Sequence, residues 1–334
     1  MMDREEARLR RSPFLVRDHD LKAYVTTVAC RLAGEHCANL RVYVVHTPMF
    51  NASMAPNGML QIWSGLLLRL ENEAQLAAVL GHEIGHYLER HSLDRLRDAK
   101  ARSGFAAFLG AFGLLGAVGQ LATVAGLYAN SREQEHAADR IGVALMKRAG
   151  YDPREAARVW TNLHLELKAD PAREPEKNSP MFATHPLIGD RSRALGELGA
   201  ASAGGEQGVE PYRRWTAPHR ADWLDDEVRR GAPLESIALM TRMLDNDPGH
   251  ADVLVARGEV RRLQGGAGAL DLAIADYRSA TVLPAPPPQA WRGLGLCYRA
   301  QGEGARARTA FQEYLLRAPL AADAHLVRSY LEES

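Results

Sequence analysis

The chain has 334 residues, which is long enough for two domains with their own hydrophobic cores. Its 41 basic residues balance its 41 acidic residues and form no basic stripe, so a nucleic-acid partner is excluded. Three cysteines are too few for a disulfide scaffold. Cys30 and Cys37 can pair only if the helix around Arg31 ends near Gly34, and such a pair would indicate an oxidising compartment.

The first eight residues are charged and contain no apolar run of the kind found in signal peptides. On that basis the chain is expected in the cytoplasm. A missing leader would instead make the protein periplasmic or membrane-associated.

Helical and extended patterns alternate at the start of the chain. Apolar residues three and four apart predict a helix over residues 15–34, and β-branched residues predict strands over 40–45 and 59–63. The segment between the strands, residues 51–58, contains Pro56 and a turn signal. It is either an ordinary loop or an edge strand that could bind an extended peptide.

Two histidines lie one turn apart in an apolar helix that Asn72 caps and that we expect to end near Arg102. His82 and His86 therefore point to the same side, where two neutral imidazoles can bind one zinc ion. Glu83 leans towards the open side of such a metal, and this His-Glu-x-x-His pattern is typical of zinc peptidases. The alternative, two surface histidines beside a solvated glutamate, would require a polar segment, whereas the surrounding residues are mostly aliphatic.

An uncharged run, residues 105–129, is long enough to cross a bilayer. A single crossing would put the histidines and any later ligand on opposite sides of the membrane, and a hairpin would give two halves that are each too short. We therefore expect the run to pack against protein or to contact a membrane surface peripherally. A membrane-embedded protease is a further alternative.

A catalytic zinc ion requires three protein ligands and an open position, so one ligand must come from elsewhere in the chain. Ser131 and Gln134 form a capping box that begins a helix ending at Gly150, and Glu135 lies in its first turn. Asp139, one turn later on the same face, can accept the outer N–H of a ligating histidine. Alternatively, the acids of this turn only stabilise the helix N-terminus electrostatically.

Taken in order, three motifs resemble the gluzincin zinc metallopeptidases, the family that includes HtpX and the CAAX prenyl proteases. They are His82-Glu83-x-x-His86, Ser131-Arg132-x-x-Glu135-x-x-x-Asp139, and Thr184-His185-Pro186 with Arg191. The resemblance extends over most of the first 200 residues. Within the family, the chain looks most like soluble, envelope-type members such as BepA, which carry helical repeats behind the protease.

This resemblance implies endopeptidase activity on polypeptide substrates, with one Zn²⁺ per chain bound by His82, His86 and Glu135. It also implies that His185 contacts the tetrahedral intermediate. From the residues alone, His185 before a proline is equally a surface histidine. Arg191 either binds the substrate backbone or pairs with a neighbouring acid.

The family's Asn-Ala stretch, which precedes a glycine turn, matches Asn51 and Ala52. The resemblance therefore implies that these two residues bind substrate. The expected reaction is peptide hydrolysis by metal-activated water, with Glu83 as general base and unfolded or misassembled proteins as substrates. A non-hydrolytic chaperone or scaffold with a structural zinc site is the alternative, and His185 as a fourth ligand would make the resting protein latent.

The last third of the chain contains a degenerate repeat. Pro248, Pro284 and Pro319 recur at separations close to the roughly 34-residue period of tetratricopeptide repeats. The clearest copy has the packing residues Trp291, Leu294, Gly295, Tyr298, Gly302, Ala307, Phe311 and Pro319. Such repeats usually present a concave surface to partner proteins, although helical hairpins without a binding role would also fit the pattern.

The sequence thus predicts a mainly α-helical protein with a small β-sheet. A zincin-like metallopeptidase domain is expected over residues 1–198. A linker rich in glycine, alanine and serine follows over 199–216, and a tetratricopeptide-like repeat domain over 217–334.

Overall fold

A computed structural model of the chain describes residues 2–89, 131–173, 181, 185, 191–200, 202 and 204–332. The chain divides into two compact units, Met1–Trp223 and Leu224–Ser334. The uncharged run at 105–129 lies outside the described residues. Among the helices that are described, none has the length and apolar character needed to cross a bilayer.

The first unit begins with helices α1 (Met2–Arg11) and α2 (His19–Ala33). α2 starts later than predicted because the carboxylate of Asp18 accepts a hydrogen bond from the N–H of Leu21 at 2.7 Å and caps the helix there. Leu15, which was expected in the helix, instead forms an isolated β-bridge with Val45.

A disulfide joins Cys30 to Cys37 just beyond the end of α2, with the two Cα atoms 4.6 Å apart. The helix ends because Gly34 adopts a positive φ of 58°, and the 3₁₀ segment Gly34–Asn39 then turns the chain back. The third cysteine, Cys297, is buried and free. The pairing that the sequence left open is thus present in the structure.

A three-stranded mixed sheet follows, with strands β1 (Arg41–Val45), β2 (Ala52–Met54) and β3 (Met59–Trp63). The order is β1-β3-β2, in which β1 is parallel and β2 antiparallel to β3. β2 is thus an edge strand, as Pro56 beside it suggested.

The described part of the first unit contains five more helices up to residue 200. They are α3 (Ser64–Arg69), α4 (Glu73–Leu88), α5 (Arg132–Arg148), α6 (Glu155–Lys168) and α7 (Arg191–Ala200). Asn72 caps α4 and Ser131 caps α5 with a complete capping box, as predicted. α4 ends at Leu88, and the rest of the stretch that was predicted to continue it to near Arg102 lies outside the described residues.

Small residues allow α4 and α5 to cross closely. A Cβ on Gly81 would lie 3.1 Å from the carbonyl oxygen of Gly142, and a Cβ on Gly85 would lie 2.9 Å from that of Ala138. These separations are at or below the usual limit for a Cβ contact, so the two backbones approach each other as nearly as glycine permits. Side chains on the facing sides of α4 and α5 therefore lie close together in the interior.

The segment 204–208 forms backbone hydrogen bonds with the start of α4 and with the turn that follows α5. The carbonyls of Gly208 and Gln207 accept hydrogen bonds from the first-turn N–H groups of Glu73 and Ala74, at 3.2 and 2.9 Å. Glu206 exchanges backbone hydrogen bonds with Gly150 and Asp152, just beyond α5, at 2.9 and 3.0 Å. This segment lies within the range that composition predicted as a flexible linker.

Helix α8 (Val209–Arg229) also begins within that range and continues past Trp223. The second unit then contains α9 (Pro233–Asn246), α10 (Ala251–Gln264), α11 (Ala267–Thr281), α12 (Gln289–Ala300), α13 (Gly304–Arg317) and α14 (Ala324–Glu332). Successive helices pack in pairs, α10 with α11 and α12 with α13. In the clearest repeat copy, Leu294, Tyr298, Ala307 and Phe311 form part of the buried core.

Candidate metal centre

Four side chains meet in the interior where α4 crosses α5. His82 and His86 come from α4, Glu135 from the first turn of α5, and His185 from beyond α6. None is more than 3% exposed. The sequence predicted the first three as metal ligands, and His185 joins them.

The four side chains direct their nitrogen and oxygen atoms to one point. His82 Nε2 lies 3.1 Å from His86 Nε2 and 3.2 Å from His185 Nδ1. Glu135 Oε1 lies 3.0 Å from His185 Nδ1 and 3.2 Å from His86 Nε2, while its Oε2 lies 3.4 Å from His82 Nε2. All these separations fall between 3.0 and 3.4 Å.

Such spacing matches a tetrahedral metal site. Ligand atoms at about 2.0–2.1 Å from a zinc ion are about 3.3 Å from one another when the geometry is tetrahedral. Three imidazoles and a carboxylate are also a donor set that zinc accepts. The residues present therefore fit a bound Zn²⁺ ion.

Asp139 lies behind this cluster on α5, one turn from Glu135. Its Oδ1 is 2.9 Å from His82 Nδ1, which makes it the acceptor for the outer N–H of that imidazole. The hydrogen at Nδ1 leaves the lone pair of His82 Nε2 directed into the cluster. This contact is the one that the sequence analysis expected of Asp139.

Arg191 holds Asp139 from the other side. Its Nε and Nη2 donate to the two carboxylate oxygens of Asp139 at 2.9 and 2.7 Å, and its Cζ lies 3.8 Å from the ring centroid of Trp160. Nη2 is also 2.9 Å from His82 Nδ1, but a guanidinium only donates, so we assign its hydrogen bond to Asp139. Arg191 is 2% exposed, which favours a role in holding the site over direct substrate contact.

The charges around the cluster favour a cation. Burial raises the pKa of Glu135, but His185 and His82 lower it further, and the result is well below its usual range. Burial also raises the pKa of Asp139, whereas Arg191 and His82 hold it below its usual value. Burial and Arg191 lower the pKa of His82, yet Asp139 and Glu135 raise it to about 9. Two ionised carboxylates thus stabilise positive charge at the centre.

Glu83 lies beside the cluster without being part of it. It is 2% exposed, and its Oε1 is 3.5 Å from His185 Nε2. Within the described part of the chain, this oxygen accepts no hydrogen bond. A buried carboxylate oxygen with an unfilled hydrogen-bonding site next to a metal position is suited to receive a proton from water.

The edge strand β2 lies against α4. The carbonyl of Asn51 accepts a hydrogen bond from the N–H of Trp63, and the N–H of Ala55 donates one to the carbonyl of Met59. The backbone groups at odd-numbered positions of this segment therefore face β3. The backbone groups of Ala52 and Met54 therefore face away from β3. Ala52 and Met54 are only 1% and 2% exposed, so the strand is shielded from solvent in this structure.

Sequence reasoning missed the residues that bring the site together. Trp160 was not singled out as a site residue, and the partner of Arg191 was sought among neighbouring acids. The helix crossing had a signal, since Gly81 and Gly85 are four apart on α4, as are Ala138 and Gly142 on α5. Small residues at that spacing mark the face of a helix that another backbone can approach.

The chain is similar in sequence to known proteases. A family model, Peptidase family M48, matches residues 16–198. The beta-barrel assembly-enhancing protease of Escherichia coli (strain K12) is 30% identical over 196 residues, which are 54% of this chain and 39% of that relative. The protein of the same name from Yersinia pestis is 31% identical over 201 residues, 55% of this chain and 40% of the relative.

A eukaryotic relative is also similar. The mitochondrial metalloendopeptidase OMA1 of Schizosaccharomyces pombe is 32% identical over 186 residues, which are 54% of this chain and 53% of that protein. The chain thus spans between two fifths and about half of the length of these relatives. The family model covers more than half of the chain and includes every residue of the metal cluster. The chain therefore belongs to peptidase family M48, whose members use zinc.

Proposed function

We propose that this protein is a zinc-dependent endopeptidase that cleaves polypeptide chains. The observation that carries the proposal is the tetrahedral spacing of His82, His86 and Glu135 beside Glu83, whose Oε1 accepts no hydrogen bond from the described residues. Family membership and relatives named as proteases support it. Bound zinc would lower the pKa of a water molecule and polarise the scissile carbonyl.

Each of the surrounding side chains has a separate role in the proposed reaction. Glu83 accepts the proton of the attacking water and delivers it to the leaving amine. Asp139 fixes the tautomer and orientation of His82. Arg191 keeps Asp139 in place, and His185 donates a hydrogen bond to the oxyanion that develops during attack.

Substrate binding follows from the edge strand. An extended peptide can pair with the outward backbone groups of Ala52 and Met54 and thereby become a fourth strand. The side-chain oxygen Oδ1 of Asn51, which is 6% exposed, accepts no hydrogen bond from the described residues and could receive one from such a peptide. Because this mode reads backbone rather than sequence, it suits unfolded or misassembled proteins, in which extended segments are accessible. The helical repeats would recruit these proteins or a partner.

The test is cleavage of unfolded casein by the purified chain, with and without a zinc chelator. We expect the chelator to stop cleavage and Glu83→Gln to abolish it while zinc content stays at one ion per chain, because the amide cannot take up a proton. Glu89→Gln, the same change just beyond α4, should cleave like the wild type. Full activity of Glu83→Gln would contradict the proposed mechanism.

His185 supports a second candidate, a latent or non-hydrolytic protein with a closed zinc site. Its Nδ1 occupies the fourth corner of the cluster, and β2 is shielded from solvent. The His185→Ala variant separates the candidates by casein cleavage and zinc content. If His185 assists hydrolysis, as we propose, cleavage falls while zinc stays bound. Faster cleavage would indicate latency, and loss of zinc without any cleavage in either protein would indicate a structural site.

A further inference from the structure

Trp160 packs beside the metal centre. It lies on α6 and is 5% exposed. Its ring contacts the guanidinium of Arg191 over its face, His82 at a centroid distance of 6.2 Å and an angle of 69°, and Phe50 at 6.2 Å and 65°. The other buried apolar residues of α6 are aliphatic, namely Ala156, Val159, Leu163 and Leu167.

The contact with Arg191 begins a short chain of contacts to the metal. Arg191 grips both carboxylate oxygens of Asp139, and Asp139 accepts the outer N–H of His82. A guanidinium that is 2% exposed needs partners on its faces as well as at its edges. The indole ring supplies such a face, because its π-electrons attract the cation at 3.8 Å.

We propose that Trp160 is a positioning residue for the metal centre. It holds Arg191 in the plane that fixes Asp139, and through Asp139 it fixes the ring of His82. In this role Trp160 acts through Arg191 and Asp139, and its ring also packs against that of His82. This inference rests on the proposed function, which gives the centre its zinc ion.

A residue that merely fills the core would behave differently from a positioning residue. Leucine at position 160 keeps the site apolar but removes the aromatic face, whereas phenylalanine keeps a face of smaller area. A role limited to packing predicts loss of stability in both variants with zinc binding unchanged once the protein is folded. A positioning role predicts that zinc retention follows the aromatic face.

The experiment measures the rate at which the folded, zinc-loaded chain releases zinc to a chromogenic chelator, together with kcat and KM on a peptide. We expect Trp160→Leu to release zinc roughly 10-fold faster, the lower end of the effect of losing the outer partner of a metal ligand, because Trp160 acts on that partner, Asp139, through Arg191. Its kcat should fall by a similar factor with KM little changed, because β2 is intact. Trp160→Phe should restore most of both.

Trp223→Leu is the matched control. Trp223 belongs to the same compact unit and is 3% exposed, and it stacks on His219 away from the cluster. This variant loses the same atoms and should release zinc at the wild-type rate. If Trp160→Leu does not fold, Trp160→Met replaces it with the same expected result.

Three results would overturn the inference: wild-type zinc release by Trp160→Leu, equal acceleration by Trp223→Leu, or no rescue by Trp160→Phe. Absence of peptidase activity in the wild type would instead contradict only the proposed function. The two failures are distinguishable because zinc release is measured without turnover.

Discussion

Glu133 and Glu135 occupy the same first turn of α5 but have different surroundings. Glu135 is 0% exposed and lies within 3.0–3.4 Å of three imidazole nitrogens, whereas Glu133 is exposed. An acid in a first turn also stabilises the helix N-terminus, and both residues share that benefit. Only the buried one can be a metal ligand.

We therefore predict that Glu135→Ala loses most of its bound zinc, because His82 and His86 alone leave the site one ligand short and without the negative charge of the carboxylate. Metal analysis of the purified protein measures the loss. Glu133→Ala removes an equal charge from the same turn and should keep its zinc. An unchanged zinc content in Glu135→Ala would dismiss this residue as a ligand.

The residues that were predictable are those whose role depends on near neighbours in the sequence. Asn72 and Ser131 cap their helices through groups three residues away, and the spacing of Glu135 and Asp139 places both on one helical face. The pairing of Arg191 with Asp139 was not predictable, because it joins residues on separate helices and depends on how those helices pack. The same is true of Trp160.

At the scale of elements, the site depends on how closely α4 and α5 approach. A Cβ on Gly142 would lie 3.0 Å from the backbone nitrogen of His82, so any side chain there separates the two helices. Since α4 carries His82 and His86 and α5 carries Glu135, a change in helix separation acts directly on the distances within the cluster.

Gly142→Ala should therefore destabilise the fold by about 1–3 kcal/mol, the usual cost of overpacking, and weaken zinc binding. Chemical denaturation and zinc titration measure the two effects. Gly268→Ala is the control, because Gly268 lies in α11 and a Cβ added there would have no neighbouring atom within 4 Å, so alanine should be neutral or slightly stabilising. Normal zinc affinity in Gly142→Ala would show that the helix spacing does not set the cluster geometry.

Gly205 lies within the range 199–216 that composition predicted as a linker, and it has a packing role that composition did not predict. Glycines there suggested flexibility, but Gly205 is required because a Cβ would lie 2.5 Å from the backbone carbon of Tyr151. Glycine permits both freedom and close packing, and composition alone does not separate them. The distinction requires the tertiary partner, which lies more than 50 residues earlier in the chain.

At the scale of the whole molecule, the described metal cluster lies entirely within the first compact unit, whereas the repeat helices α9–α14 lie in the second. The match to the family model likewise ends at residue 198. The metal chemistry and the proposed recruitment of substrate are therefore assigned to different parts of the chain.

A fragment of residues 1–230 should thus bind one zinc ion and cleave a short unstructured peptide with the kcat of the full chain. Its KM for unfolded casein should rise, because the repeats that would recruit the polypeptide are missing. Steady-state kinetics on both substrates, compared with the full chain, measures the difference. Equal KM values for casein would remove the recruiting role from the repeats.

The 204–208 segment has a consequence for engineering this protein. Its backbone closes the amino end of the helix that bears both histidines and, at the same time, ties down the turn that follows the helix bearing Glu135. Composition alone suggests that extra residues could be inserted there without effect. Such an insertion would instead break hydrogen bonds at the start of α4 and at the turn that follows α5. Both helices that carry the proposed metal ligands could then shift, although the ligands themselves are unchanged.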